Sequence, residues 1–335
     1  MNHRMLFRAV TIIVLLFFQA PQLQAQTTYK NFEIKVLSEG VFAAIHTHGG
    51  HAIGNAGIVD LGASVLVFDC FLTPDAAAEL QAAAIALTGK EVRYVVNSHY
   101  HNDHMRGNQV FVGSDIIASS KTNELMKTLA PQELQNDLVE APNRLSDLKK
   151  KEVASLGKHE QHEHAGMLAY YEGIVNSADK IRLTYPSITF QTNLQLRGSK
   201  RTIELIDMGE GHTPSDVVMW LPEEKILFAG DLVFIQHQPW MSDGNPLNWL
   251  QILKRLADLQ PETIVPGHGP VGDVSSLAPL ESYIRTVIAA AERLSAEPNA
   301  SEAIQKLKCP PPYDSWMLSG FYLPNVTILS NKFKK

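Results

Sequence analysis

Short β-branched and aromatic runs separated by turn residues lie at Phe32–Leu37, Val41–His46, Gly57–Leu61 and Ser64–Asp69, and this spacing predicts an antiparallel meander. Thr73-Pro74-Asp75 then supplies a side-chain cap and a proline for the first turn. A helix is therefore expected over Asp75–Leu87, closed by Gly89. Val92–Asn97 is a compact apolar strand that delivers the chain into Ser98-His99-Tyr100-His101-Asn102-Asp103-His104. After a further strand at Ile116–Ser119, apolar residues at helical spacing among Lys, Glu and Gln predict two or three helices within 121–185. Strands are expected again at Ser187–Phe190, Asn193–Leu196, Arg201–Asp207, Asp216–Leu221 and Lys225–Ala229. A helix at Pro246–Leu259, a strand at Thr263–Val265 and a long helix at Leu277–Ala296 follow.

The order repeats itself: strands then helix, a helical insertion, strands then helices. Two sheets, each covered by helices on one side, can bury their bare apolar faces against each other. The expected fold is an α/β, four-layer αββα sandwich forming one domain over 26–335, with the insertion at 121–185. The tail after Cys309 carries Trp316, Phe321 and Tyr322 and is expected to pack on the body.

Composition adds a compartment. Arg4 and Arg8 flank the start of an apolar run, Ala9–Phe18, which is followed by a polar stretch ending in Ala25. The run is too short to span a bilayer comfortably, so residues 1–25 read as a cleaved export signal with the mature chain starting near Gln26; an uncleaved anchor is the alternative. The expected location is periplasmic or secreted, with no stable membrane insertion after cleavage. Removing the leader takes away two arginines and no acid, moving the net charge from −6 to −8. That balance argues against a nucleic-acid partner and leaves a small-molecule substrate as the expected one. Export would permit a Cys70–Cys309 bridge, but buried free thiols are the expected state of these two cysteines.

The chemistry concentrates in His99-x-His101-x-Asp103-His104, four potential metal ligands at the end of a buried strand. Alternation sends His99 and His101 to one side, while Asp103 and His104 can turn toward a second position. Imidazole and carboxylate donors suit zinc, and iron or manganese less selectively. Three later positions share the strand-end setting: His212 in Gly-His-Thr-Pro-Ser-Asp, Asp231 at the end of Ile-Leu-Phe-Ala-Gly-Asp, and His268 in Ile-Val-Pro-Gly-His-Gly. The other histidines read more plainly. His46, His48 and His51 suit a solvated Gly-rich loop, with a place at the border of the site as the alternative, and His159, His162 and His164 suit an exposed helix face. His237 and Trp240 follow Asp231 on a loop that can border a pocket, whose walls are expected to come from the insertion at 121–185 and the loops at 46–55 and 234–245. No Gly-x-Ser-x-Gly elbow accompanies Ser98 or Ser215, so a serine nucleophile is not expected.

On Asp69, the His99–His104 cluster, His212, Asp231 and His268, the sequence resembles the metallo-β-lactamase superfamily of zinc hydrolases over roughly residues 32–270. The resemblance implies two zinc ions: one held by His99, His101 and His212, the other by Asp103, His104 and His268, with Asp231 bridging and Asp69 orienting a ligand from behind. It also implies catalytic parts for Asp103 and Asp231. The first two β-lactamase subclasses of that superfamily carry cysteine where Asp231 stands, so the resemblance does not by itself imply antibiotic hydrolysis. A bridging aspartate is the pattern of glyoxalase-II-like thioesterases, lactonases and phosphodiesterases. His99, where the redox-active di-iron branch has glutamate, points away from that branch. The implied function is an exported hydrolase of a β-lactam, lactone or thioester-like substrate, using a water acidified between two ions. A phosphodiesterase of the same superfamily and a non-catalytic zinc-binding accessory protein are the alternatives.

Overall fold

Hydrophobic residues at alternate positions of several strands are buried on both sides, which requires a sheet covered on both faces. The computed structural model describes residues 29–334 and shows such sheets; residues 1–25, expected to be an export signal, lie outside the described residues. The first sheet begins with an antiparallel meander of β1 (Phe32–Ser38), β2 (Val41–His46), β3 (Ala56–Asp60) and β4 (Val65–Phe68). It continues in parallel through β5 (Val92–Val96), β6 (Asp115–Ser119) and β7 (Ile188–Phe190). The second runs antiparallel through β8 (Asn193–Arg197), β9 (Thr202–Asp207), β10 (Val217–Leu221) and β11 (Ile226–Phe234), with β12 (Thr263–His268) parallel beside β11.

Side-chain alternation assigns the layers. Val59, Leu66 and Phe68 of the first sheet meet Leu205, Met219 and Phe228 of the second in a shared core. The intervening residues Ile58, Val65 and Val67 point outward onto α1 (Pro74–Thr88), whose Ala76, Leu80 and Ala84 cover them. Thr73 caps that helix through Ala76 N–H, and Gly89 ends it in the left-handed region, as the sequence predicts. The chain then forms α2 (Asn102–Met105) and the three insertion helices α3 (Ser120–Thr128), α4 (Ala130–Lys150) and α5 (Lys158–Ser177). Outside the second sheet lie α6 (Pro246–Asp258), α7 (Leu277–Ser295), α8 (Ala300–Gln305) and α9 (Tyr322–Phe333). Trp249, Ile284 and Leu329 from three of these helices pack with Val218, Trp220 and Leu227 of the sheet. The result is the expected αββα sandwich, and Trp316 and Tyr322 of the tail belong to its core. Among the described residues no helix is long and apolar enough to cross a membrane.

Two strands run further than their sequence suggests. β11 continues through Asp231 to Phe234, and β12 reaches His268. A glycine in an apolar run reads as a stop, but Gly230 sits at φ +52° where the β11–β12 register shifts, so the strand bulges and resumes. A Cβ at Gly230 would lie 2.7 Å from Ser98 Cβ; its absence lets the strand approach the histidine loop and sets Asp231 within a strand rather than after one.

Candidate metal centre

The edge shared by β4, β5, β11 and β12 carries the histidines. After β5 the chain bends through Ser98–Tyr100 and enters the single turn of α2, so His99 comes from the bend and His101 from extended backbone, while Asp103 and His104 come from the helical turn. His212 is supplied by the β9–β10 connection, Asp231 by β11 and His268 by the end of β12. All seven predicted side chains converge. Their donor atoms form two groups, His99, His101, His212 and Asp231 in one and Asp103, His104 and His268 in the other, each within 4.8 Å internally. Asp231 faces both groups: Oδ2 lies 3.2 Å from His212 Nε2 and 3.4 Å from His268 Nε2, and Oδ1 lies 3.1 Å from His104 Nε2. Asp103 Oδ2 is 3.3 Å from His268 Nε2.

The imidazoles are aimed from behind. Asp69 Oδ2 lies 2.8 Å from His104 Nδ1, and Asp69 is itself fixed by Ser98 N–H at 2.7 Å and Ser98 O–H at 2.8 Å. Its backbone stands at φ +59°, a costly conformation that aspartate tolerates better than most and that turns the carboxylate under the cluster. Ser98 Oγ lies 2.9 Å from His99 Nδ1. Asp243 does the same for His101, with Oδ2 3.0 Å from its Nε2, and it also accepts from Tyr100 O–H at 3.0 Å. These contacts leave His99 Nε2, His101 Nδ1 and His104 Nε2 facing inward.

The donor set fits a pair of cations. His99 Nε2 is buried without a hydrogen-bond partner, and His104 Nε2 and Asp231 Oδ1, though 3.1 Å apart, make no well-formed hydrogen bond with each other or with any other group, an expensive arrangement unless a cation takes their lone pairs. Burial raises the ionisation cost of Asp103, yet His104 and His268 hold it near 2. Burial likewise works against protonated His268, but Asp231 and Asp103 lift it to about 9. His212, buried and only partly compensated by Asp231, falls to about 3 and offers a neutral lone pair. Buried carboxylates thus demand positive charge here. Nitrogen and oxygen donors with no thiolate suit zinc, and less selectively iron or manganese.

The cluster forms the floor of a cavity of about 730 Å³. The insertion, the β2–β3 loop and the loop after β11 all line it, including His237 and Trp240. The C-terminal tail adds Met317, Leu318 and Phe321, a wall that the sequence does not announce. Two histidine readings are corrected. His46 is not solvated: it is half-buried at the end of β2 and lines the cavity, and Asn55 accepts from its N–H while donating to the Pro266 and Gly269 carbonyls; His48 is exposed, as expected, but also borders the cavity. His51 is half-buried, with Gly173 of α5 against its side chain. The helix that bears His159, His162 and His164 is not wholly outward either, since His162 stacks on His48 with ring centroids 3.5 Å apart and His159 Nε2 and His164 Nδ1 are buried. A single histidine carries no signal of which distant helix will cover it. Asp243 was also missed, because an isolated aspartate 142 residues from its partner makes no pattern. Cys70 is buried and Cys309 half-buried, and both are free thiols, as expected.

Comparison with known proteins places this geometry. The chain is 26% identical over 254 residues to a type 2 metallo-beta-lactamase of Pseudomonas aeruginosa, covering 73% of this chain and 81% of that one. It is 27% identical over 113 residues to a hydroxyacylglutathione hydrolase of Bartonella tribocorum, covering 32% of this chain and 44% of the relative. A linear primary-alkylsulfatase of a Pseudomonas species is 22% identical over 274 residues, covering 76% and 48%. The fold matches a metallo-beta-lactamase from Pontibacter korlensis with a TM-score of 0.55 at 20% identity, over 76% of this chain and 99% of that one. With residues 49–268 matching the family model, well over half its length, the chain belongs to the metallo-beta-lactamase superfamily.

Proposed function

We propose that this protein is an exported, dinuclear zinc hydrolase acting on a small β-lactam, lactone or thioester-like substrate. The observation that carries the reading is Asp231, whose two oxygens face two separate donor groups at the floor of a cavity large enough for a small molecule. The mature chain would start near Gln26, in keeping with the arginine-flanked apolar leader.

His99, His101 and His212 would hold one ion and Asp103, His104 and His268 the other, with Asp231 shared. When bound, such a pair supplies Lewis acidity at the scissile carbonyl and acidifies a water toward neutrality. The chain's own part is placement. Asp69, Ser98 and Asp243 fix the imidazole tautomers and directions before substrate arrives. Asp103 and Asp231 would offset positive charge, and either carboxylate would hold the attacking water in line or accept its proton. The cavity walls exclude bulk solvent and orient the substrate.

The test is zinc content of the purified, metal-replete protein together with hydrolysis of nitrocefin, a simple lactone, a thioester and bis-p-nitrophenyl phosphate. About two ions per chain with turnover of a carbonyl substrate is the expected result. One tight ion and no second site would overturn the dinuclear reading. Turnover of the phosphodiester alone would make the protein a phosphodiesterase, and two zincs without any turnover would favour an accessory zinc-binding role.

A further inference from the structure

The cavity wall carries a charge pattern that narrows the substrate, an inference that rests on the hydrolase reading. Ile45, Ile53, Met167, Trp240, Leu318 and Phe321 make much of that wall apolar. Among the described residues, the Asp and Glu side chains on the wall beyond the candidate ligands are Glu133, Asp137, Glu163 and Asp243, and no lysine or arginine lines it. Three of these four carboxylates are committed. Asp137 pairs with the buried Arg106 and accepts from Asn102 Nδ2 at 3.2 Å. Glu163 accepts the backbone N–H groups of Leu318 at 2.7 Å and Ser319 at 3.1 Å. Asp243 holds Tyr100 and His101. The Glu133 side chain, half-buried on the first turns of α4, has no hydrogen-bond or ion-pair partner among the described residues, and His101 and Arg106 attract it only from beyond contact distance.

An unpaired carboxylate beside an apolar cavity acts at reduced dielectric, where a second negative charge several ångströms away is repelled far more than in water. Discrimination by such a repulsive element is a usual means of specificity. We propose that Glu133 is a specificity-determining residue, biasing the cavity toward substrates with an uncharged, apolar body and against those carrying a carboxylate away from the scissile bond. Penicillins, cephalosporins and glutathione thioesters all carry such carboxylates. Neutral lactones and simple acyl esters or thioesters do not, and the wall matches them.

The experiment compares two p-nitrophenyl esters on the zinc-loaded full-length protein, identical except that one medium-length acyl chain ends in methyl and the other in a carboxylate. Wild type should favour the methyl-ended ester in kcat/KM. Glu133→Gln should raise the carboxylate-to-methyl ratio by on the order of tenfold, and Glu133→Lys should raise it further. A parallel binding arm displaces a neutral dye, Nile red, with the corresponding non-hydrolysable ethers, and the same ordering of ratios is expected without turnover. Wild-type preference for the carboxylate-ended ligand, or a ratio that neither substitution moves, overturns the proposal. If neither ester is hydrolysed, the hydrolase reading is decided separately by the nitrocefin, lactone and thioester panel, and the binding ratios alone decide whether Glu133 discriminates.

Discussion

Asp231→Ala removes the shared carboxylate but leaves His99, His101 and His212 for one ion. The variant is expected to fold, to lose the second metal preferentially and to lose most turnover; retention of the wild-type rate with one ion bound would contradict a two-ion mechanism. His101→Ala should strike the first ion and abolish activity more completely. Asp69→Asn and Asp243→Asn act through the imidazoles they hold, and each should cost on the order of 10–100-fold in metal affinity or activity, read by competition with a chelator. At this scale the sequence is most legible where several ligands share one short segment, because His99 to His104 leave little room for a bland reading. Asp243 and Glu133 were illegible for the opposite reason. Each is a lone acid whose meaning comes from a neighbour far away in the chain.

Elements were read well where a cap or an alternation marks them, as in α1 and β2 to β4, and less well where packing overrides punctuation, as at Gly230. The insertion and the loops at 46–55 and 234–245 wall the site as expected, but the part played by the tail could not be read, since α5 and the tail meet only in three dimensions. Glu163 on α5 secures that meeting by accepting two N–H groups from a tail segment in which Leu318 stands at φ +59°. A non-glycine residue held there is strained, so the charge-assisted bonds that restrain it carry weight. Glu163→Ala should therefore release the 317–321 segment locally, by about 1–3 kcal/mol, while the two sheets stay intact. Hydrogen exchange is the measurement: the Leu318 and Ser319 amides should exchange faster with core amides unchanged. Equal protection in variant and wild type would show that apolar packing of Phe321 against Trp240 suffices to hold the tail.

At the scale of the whole molecule, the two sheets share a core in the middle and the candidate metal centre at one end, and charged side chains tie them at the other. Asp60, at the end of β3, receives Lys90 Nζ from the α1–β5 connection at 2.6 Å and Lys200 Nζ from the β8–β9 turn at 2.7 Å, with Gly62 N–H at 2.9 Å. Arg201 beside it donates to the Glu39 and Gly40 carbonyls and pairs with Glu224. Burial alone would raise the Asp60 carboxyl, but the Lys200 and Lys90 bonds outweigh it and hold the group at about 2. An unfolded aspartate titrates near about 3.9, so the folded state binds this proton less tightly and gains stability from ionised Asp60. That gain is fully present above pH ~4 and is lost as the pH falls through about 2. Because both lysines remain partly in solvent, with 27% and 45% of their side chains exposed, the contribution should be about 1 kcal/mol rather than the full linkage value. Asp60→Asn should accordingly lower the urea-unfolding free energy by about that amount at pH 7, and the deficit should shrink to about half near pH 3. Zinc content and turnover at pH 7 should not change, since this tie lies at the far end of β3 from the histidines. A deficit independent of pH would mean that Asp60 acts by shape and hydrogen bonding alone, and that its charge does nothing to hold the sheets together.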